Sequence, residues 1–105
     1  MRKQAFVDLI QRVRAITGTT ELVIVGSHCL YAVTENVPDL VKQSVEADFL
    51  LGPYSLELMV EVNALLGVTS AYFKESGNYA DALGLASVTL PPGWNERLQP
   101  LTDDN

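Results

Sequence analysis

The sequence predicts an α/β protein, with α+β as the variant: a small mixed sheet flanked by helices, forming one domain over residues 1–105. Three observations carry this expectation. Residues 3–17 hold apolar side chains at helical spacing. Leu22-Val23-Ile24-Val25 is a short, mostly β-branched run that stops at Gly26. A second apolar segment over 45–51 is followed by another helical pattern over 56–66, and helices interleaved with strands make a layered mixed fold.

The chain has 105 residues, enough for one domain that buries roughly 60–70% of its unfolded surface. Hydrophobic content of 48% and charged content of 19% are globular rather than disordered values. A single cysteine, Cys29, excludes an internal disulfide and points to a reducing compartment. The net charge is −6, and the basic residues form no patch, so autonomous binding to a DNA or RNA backbone is not expected. An acidic surface still admits a nucleotide whose phosphates are screened by metal ions. Asp8, Arg12 and Arg14 interrupt any apolar stretch behind the basic start, so no signal peptide is expected. No apolar run is expected to reach the roughly 20 residues of a membrane span. These points together predict a cytoplasmic protein without a membrane partner.

The elements follow in order. Phe6, Leu9, Ile10, Val13 and Ile16 form the apolar stripe of a first helix over 3–17, and Gly18 stops it. Leu22–Val25 reads as a strand covered on both faces. Gly26 makes a sharp turn, and Ser27 is placed to cap a helix of about two turns over His28–Thr34. Glu35-Asn36-Val37-Pro38-Asp39 breaks that helix, because proline restricts the residue before it. Leu40–Ser44 reads as one more helical turn. Residues 45–51 form a second buried strand, ended by Gly52-Pro53. Ser55 can cap a third helix over Leu56–Leu66, with Leu58, Val62 and Leu65 as its apolar stripe, Glu57 and Glu61 on a solvated face, and Gly67 as its C′ residue. Thr69–Phe73 reads as a strand or extended link, Glu75–Asn78 as a turn, and Tyr79–Leu85 as ambiguous. Ser87–Leu90 reads as a strand stopped by Pro91-Pro92-Gly93, and Arg97–Leu101 as a last short strand.

One constellation carries chemistry. Residues two apart on a strand share a face, so Glu46 and Asp48 point the same way, with Ala47 and Phe49 opposite. Adjacent carboxylates repel unless protonated or bridged by cations, and hard oxygen ligands suit Mg²⁺ (or Mn²⁺) together with substrate phosphate. Gly26 lets a phosphate approach the backbone, where the Ser27 hydroxyl and the N–H groups of the following turn can hold it. Spacing alone leaves the alternative open that Glu46 and Asp48 are solvated residues of an edge strand and Gly26-Ser27 only a turn.

The order of these segments resembles the nucleotidyltransferase fold of the DNA polymerase β superfamily. Within it, the chain resembles more closely small bacterial nucleotidyltransferase-like proteins of unknown function related to the AbiEii-type toxins. The resemblance rests on Ile24-Val25-Gly26-Ser27-His28, on Ser44-Val45-Glu46-Ala47-Asp48-Phe49, and on Val88 through Leu98 with its Pro91-Pro92-Gly93-Trp94 core. It implies Mg²⁺ at Glu46 and Asp48, a triphosphate at Gly26 and Ser27, and a third carboxylate on a later strand, for which Asp81 is the candidate; read from its own segment, Asp81 is instead a turn or surface acid. The implied reaction is metal-dependent transfer of a nucleoside monophosphate from an NTP to a hydroxyl of protein or RNA, in a toxin–antitoxin or phage-defence setting. Similar proteins continue beyond the position of Asn105 into a helical portion.

Other residues have plainer readings beside functional ones. His28 either touches a phosphate or packs; Cys29 reads as a small core side chain. Tyr72, Tyr79 and Trp94 either stack on a base or pack, and Arg97 pairs with a phosphate or a nearby acid. The alternatives to an enzyme are a non-catalytic nucleotide-binding or protein-interaction module that keeps the fold, and a dimerisation domain, which would make the protein a homo-oligomer.

Overall fold

The computed structural model describes residues 1–19, 22–32, 34–51, 56–84 and 89–98. Helix α1 spans Lys3–Thr17 and turns Phe6, Val7, Leu9, Ile10 and Val13 inward. Gly18 ends it at φ 71, where its N–H donates to the Arg14 carbonyl, as the stop signal predicts. Strand β1, Val23–Val25, leads to a 3₁₀ segment over Ser27–Ala32. Helix α2 covers Asp39–Gln43, and β2 runs Glu46–Leu50. Helices α3 (Leu56–Leu66) and α4 (Ala71–Ser76) follow, then β3 over Tyr79–Leu83 and a 3₁₀ turn over Trp94–Glu96.

The fold class is as predicted: a mixed α/β arrangement around a small sheet of order β1-β2-β3 among the described residues. β1 pairs antiparallel with β2, and β2 pairs parallel with β3 through the α3–α4 crossover. The sheet has one oily face. Ala47, Phe49, Ala80 and Ala82 join Phe6, Leu9, Val13, Val62 and Leu66 in a single core, with α3 packed against β3 and α1. Small alanines at three of those four sheet positions let the helical layer lie close. The other face of β2 and β3 carries Glu46, Asp48, Tyr79 and Asp81, all half-buried. The Met1 ammonium donates to the carbonyls of Val41, Lys42 and Ser44, and the Tyr31 hydroxyl donates to the Met1 carbonyl at 2.6 Å, which ties the start of α1 to the entry of β2.

Several elements differ from the expectation. β1 is half-buried and lies at an edge of the sheet, so it is not covered on both faces. The turn after Gly26 is a 3₁₀ segment that begins at Ser27, because the Gly26 carbonyl accepts an i+3 bond from Cys29 N–H at 3.3 Å. In α3 the buried residues are Val62 and Leu66, while Leu65 is exposed; the stripe follows i, i+4 spacing from Leu58 rather than ending at Leu65. Gly67 is not left-handed. Its need for glycine is steric, since a Cβ there would stand 2.2 Å from the Asn63 carbonyl oxygen.

The segment read as extended over Thr69–Phe73 is instead the start of α4. The Ser70 hydroxyl oxygen accepts from Phe73 N–H at 3.1 Å, an N-cap that outweighs the strand preference of Tyr72 and Phe73, and Gly77 at φ 79 closes the helix. Thr89, Leu90, Arg97 and Leu98 are not in strands, because the Pro91-Pro92-Gly93 turn passes directly into the 3₁₀ turn. The remainder of those two expected strands, with Gly52-Pro53 and the Ser55 cap, lies outside the described residues. By length and composition Leu56–Ser76, with mean hydropathy 1.2, would suffice to cross a membrane, which the expectation of no such run overlooked. In the fold it is broken between Leu66 and Ala71 into two helices.

Candidate metal centre

The centre is built by two strands and one turn. Strand alternation aims Glu46 and Asp48 away from the core, because Ala47 and Phe49 between and beyond them are fully buried. The parallel register then sets Tyr79 beside Glu46 and Asp81 beside Asp48 as Cα partners. Glu46, Asp48 and Asp81 each offer an oxygen, and these atoms all lie within 4.8 Å of one another. Asp81 is thus brought beside the pair.

The glycine turn meets the same centre. Val25 pairs with Asp48 across the antiparallel ladder, so Gly26 emerges over that side chain at φ 80. A Cβ at Gly26 would stand 2.9 Å from Asp48 Oδ2. Glycine is needed here twice, for the left-handed backbone and for the close approach. On its other side, Asp48 Oδ1 is buried without a hydrogen-bond partner. A carboxylate with one oxygen under a glycine and the other unpaired beside two further acids lacks compensation within the protein.

The electrostatics express the same deficit. Burial first, then the neighbouring Glu46 carboxyl and the charge of Asp81, push Asp48 up to about 7. Asp81 is also raised, by burial and then by Glu46. Glu46 is lowered, chiefly by the Asp48 carboxyl and, against the cost of burial, by the Tyr79 hydroxyl. The cluster therefore holds its charge unevenly: Glu46 stays anionic while Asp48 keeps a proton near neutrality. A divalent cation could be held by all three groups at once, and the all-oxygen donor set fits a hard ion.

The remaining candidates divide. Ser27 is exposed beside Gly26 and free to face a ligand. His28 is a core residue, 2% exposed, with its ring 5.2 Å from Phe6 and 6.1 Å from Tyr31, and burial lowers its pKa. Cys29 is exposed rather than buried, and its thiol donates to the Gly26 carbonyl. It lies on the outer side of a short 3₁₀ segment whose inward positions are taken by His28 and Tyr31. Tyr72 lies under the Arg12 guanidinium, 4.9 Å from its ring centroid, and Arg97 is exposed with no described ion pair.

Tyr79 is the residue whose place sequence reasoning missed. Its hydroxyl donates to Glu46 Oε2 at 3.0 Å. The signal was its position two before Asp81, which assigns both to one face once β3 is recognised. Comparison of the chain with protein-family models, curated proteins and solved structures found no match.

Proposed function

We propose that this chain is a nucleotidyltransferase-like protein that moves a nucleoside monophosphate from an NTP to a hydroxyl acceptor. The observation that carries the reading is the convergence of Glu46, Asp48 and Asp81 beneath the Gly26 turn. Glu46, Asp48 and Asp81 would hold Mg²⁺ or Mn²⁺, which when bound supplies charge neutralisation for the phosphates and the leaving pyrophosphate. Gly26 lets the turn lie against Asp48, and exposed Ser27 beside it offers a hydroxyl donor to a phosphate.

In the reaction, the acceptor oxygen bonds to the α-phosphorus as the bond to the β-phosphate oxygen breaks. Pyrophosphate leaves, and Asp81 takes the acceptor's proton. Glu46 holds its charge throughout, steadied by Tyr79. Positioning and charge compensation carry most of such a transfer, so a small domain can be equipped for it. A phage-defence or toxin–antitoxin setting and a protein or RNA acceptor enter this proposal from the resemblance alone, and a cytoplasmic setting from the composition.

Thermal unfolding with Mg²⁺ and each of ATP, GTP, CTP and UTP tests it: one nucleotide is expected to stabilise the protein in a metal-dependent way. No stabilisation by any of the four ends the proposal.

A second reading has its own observation. The 3₁₀ segment behind Gly26 is six residues long and offers few aligned N–H groups, which favours a nucleotide-binding module without turnover. Binding without product formation, unaltered by Asp81→Asn, supports that module. Exposed Leu56, Val60, Leu65 and Val68 on and after α3 favour an interaction or dimerisation role, read by sedimentation.

A further inference from the structure

We propose that Tyr79 is a positioning residue, which holds Glu46 in the conformation that receives the cation. The inference rests on the metal-dependent reading above and adds to it a group outside the three carboxylates. Tyr79 is clamped at both ends. Its N–H donates to the Val45 carbonyl at 2.8 Å, and its ring packs on Phe73 of α4 with centroids 4.8 Å apart. The parallel register sets its backbone beside that of Glu46, and its hydroxyl donates to Glu46 Oε2 at 3.0 Å.

Glutamate has three side-chain torsions to order before it can serve as a ligand, whereas tyrosine presents its hydroxyl on a rigid ring. The phenol therefore transfers the rigidity of the β3–α4 packing to the most flexible of the three acids. It also leaves Glu46 Oε1 free of that bond for a cation. Hydrogen-bond partners that orient metal ligands typically change affinity by roughly 10–100-fold when removed. Tyr79→Phe keeps the ring on Phe73 and deletes only the donor, so it separates positioning from packing.

The test is titration of Mn²⁺ alone, followed by the electron paramagnetic resonance signal of the free ion, on four proteins: wild type, Tyr79→Phe, Glu46→Gln and the double variant. Melting temperatures in EDTA accompany it. Wild type is expected to bind, and Tyr79→Phe to bind about tenfold more weakly with its melting temperature in EDTA little changed. In the Glu46→Gln background the same change is expected to add nothing, because Tyr79 acts through Glu46. Wild-type affinity in Tyr79→Phe overturns the positioning role and leaves the metal reading intact. An equal loss in both backgrounds also overturns it, since Tyr79 would then act on the fold. Failure of the wild type to bind Mn²⁺ overturns the metal reading itself, and the Tyr79 role with it.

Discussion

Gly26 and Asp48 are in contact across the β1–β2 ladder: a Cβ on the glycine would stand 2.9 Å from Asp48 Oδ2. That contact joins the two halves of the site. A turn that could have served only to reverse the chain is also the roof over a carboxylate whose other oxygen is buried and unpaired. Its φ of 80 means that glycine is required by the backbone as well as by the space above Asp48.

Replacing that glycine therefore tests the site and the fold together. Gly26→Ala is expected to lose about 1–3 kcal/mol of stability from left-handed strain and displacement of Asp48. Stabilisation by Mn²⁺ should fall as well, because the displaced carboxyl no longer faces its two partners. Urea unfolding with and without Mn²⁺ measures both. A variant as stable as wild type would refute the contact.

Asp48→Asn is expected to act in the opposite sense on the metal-free protein. It removes a buried charge that two other carboxylates disfavour, so at pH 8 in EDTA it should gain about 1–2 kcal/mol. The thermal shift on adding Mn²⁺ should disappear. A gain in stability bought by loss of ligand response is the signature of a group kept for binding rather than for folding.

The pH dependence follows from the same residue. Asp48 is raised from 3.8 to about 7, so the folded protein retains a proton that the unfolded chain has already released. The contribution of Asp48 to stability in EDTA should fall as pH rises from 3.8 to about 7 and level off above it. Asp81, also raised, adds to the fall; Glu46, lowered, opposes it only below its ordinary 4.5, whereas buried His28, lowered from 6.5, and the Met1 ammonium, lowered from 8.0, oppose it up to those values. Mn²⁺ competes with the Asp48 proton, so its stabilisation should grow across the same window. Urea melts from pH 4.5 to 8.5 in both buffers, on wild type and Asp48→Asn, check this, and EDTA profiles of equal slope for the two proteins would contradict the assignment.

The outer edge of β3 depends on one side chain. Asn63 Oδ1 accepts from Ala82 N–H at 2.9 Å, and Asn63 Nδ2 donates to the Ala82 carbonyl at 3.3 Å, so a side-chain amide pairs the strand edge that no strand covers among the described residues. Asn63→Ala should cost about 1–3 kcal/mol by leaving both backbone groups unpaired. Gly67→Ala should cost at least as much, since its Cβ would meet the Asn63 carbonyl at 2.2 Å. Chemical denaturation of the two variants, compared with the exposed control Glu61→Ala, measures the difference.

Much of this protein is determined by its sequence alone. Local rules place α1 and its glycine stop, the β1–Gly26 turn, the α2 turn and the alternation that sends Glu46 and Asp48 to one face, because each depends on periodicity or on a single residue's backbone preference. Asp81 was named only through resemblance, and Tyr79 only as a residue that stacks on a base or packs, because strand alternation shows which residues share a face but not which strand lies alongside. The parallel register between β2 and β3 made that choice, bringing Asp81 to Asp48 and Tyr79 to Glu46. The rotated stripe of α3 and the exposure of Cys29 were likewise tertiary outcomes, since a packing partner and neighbouring bulk settle them, whereas α4 has local signals in its Ser70 cap and Gly77 stop, which outweigh the strand preference of Tyr72 and Phe73. Tertiary structure converted two separate acidic signals into one centre because pairing between distant segments, unlike periodicity within one, is an energy that no short stretch of chain contains.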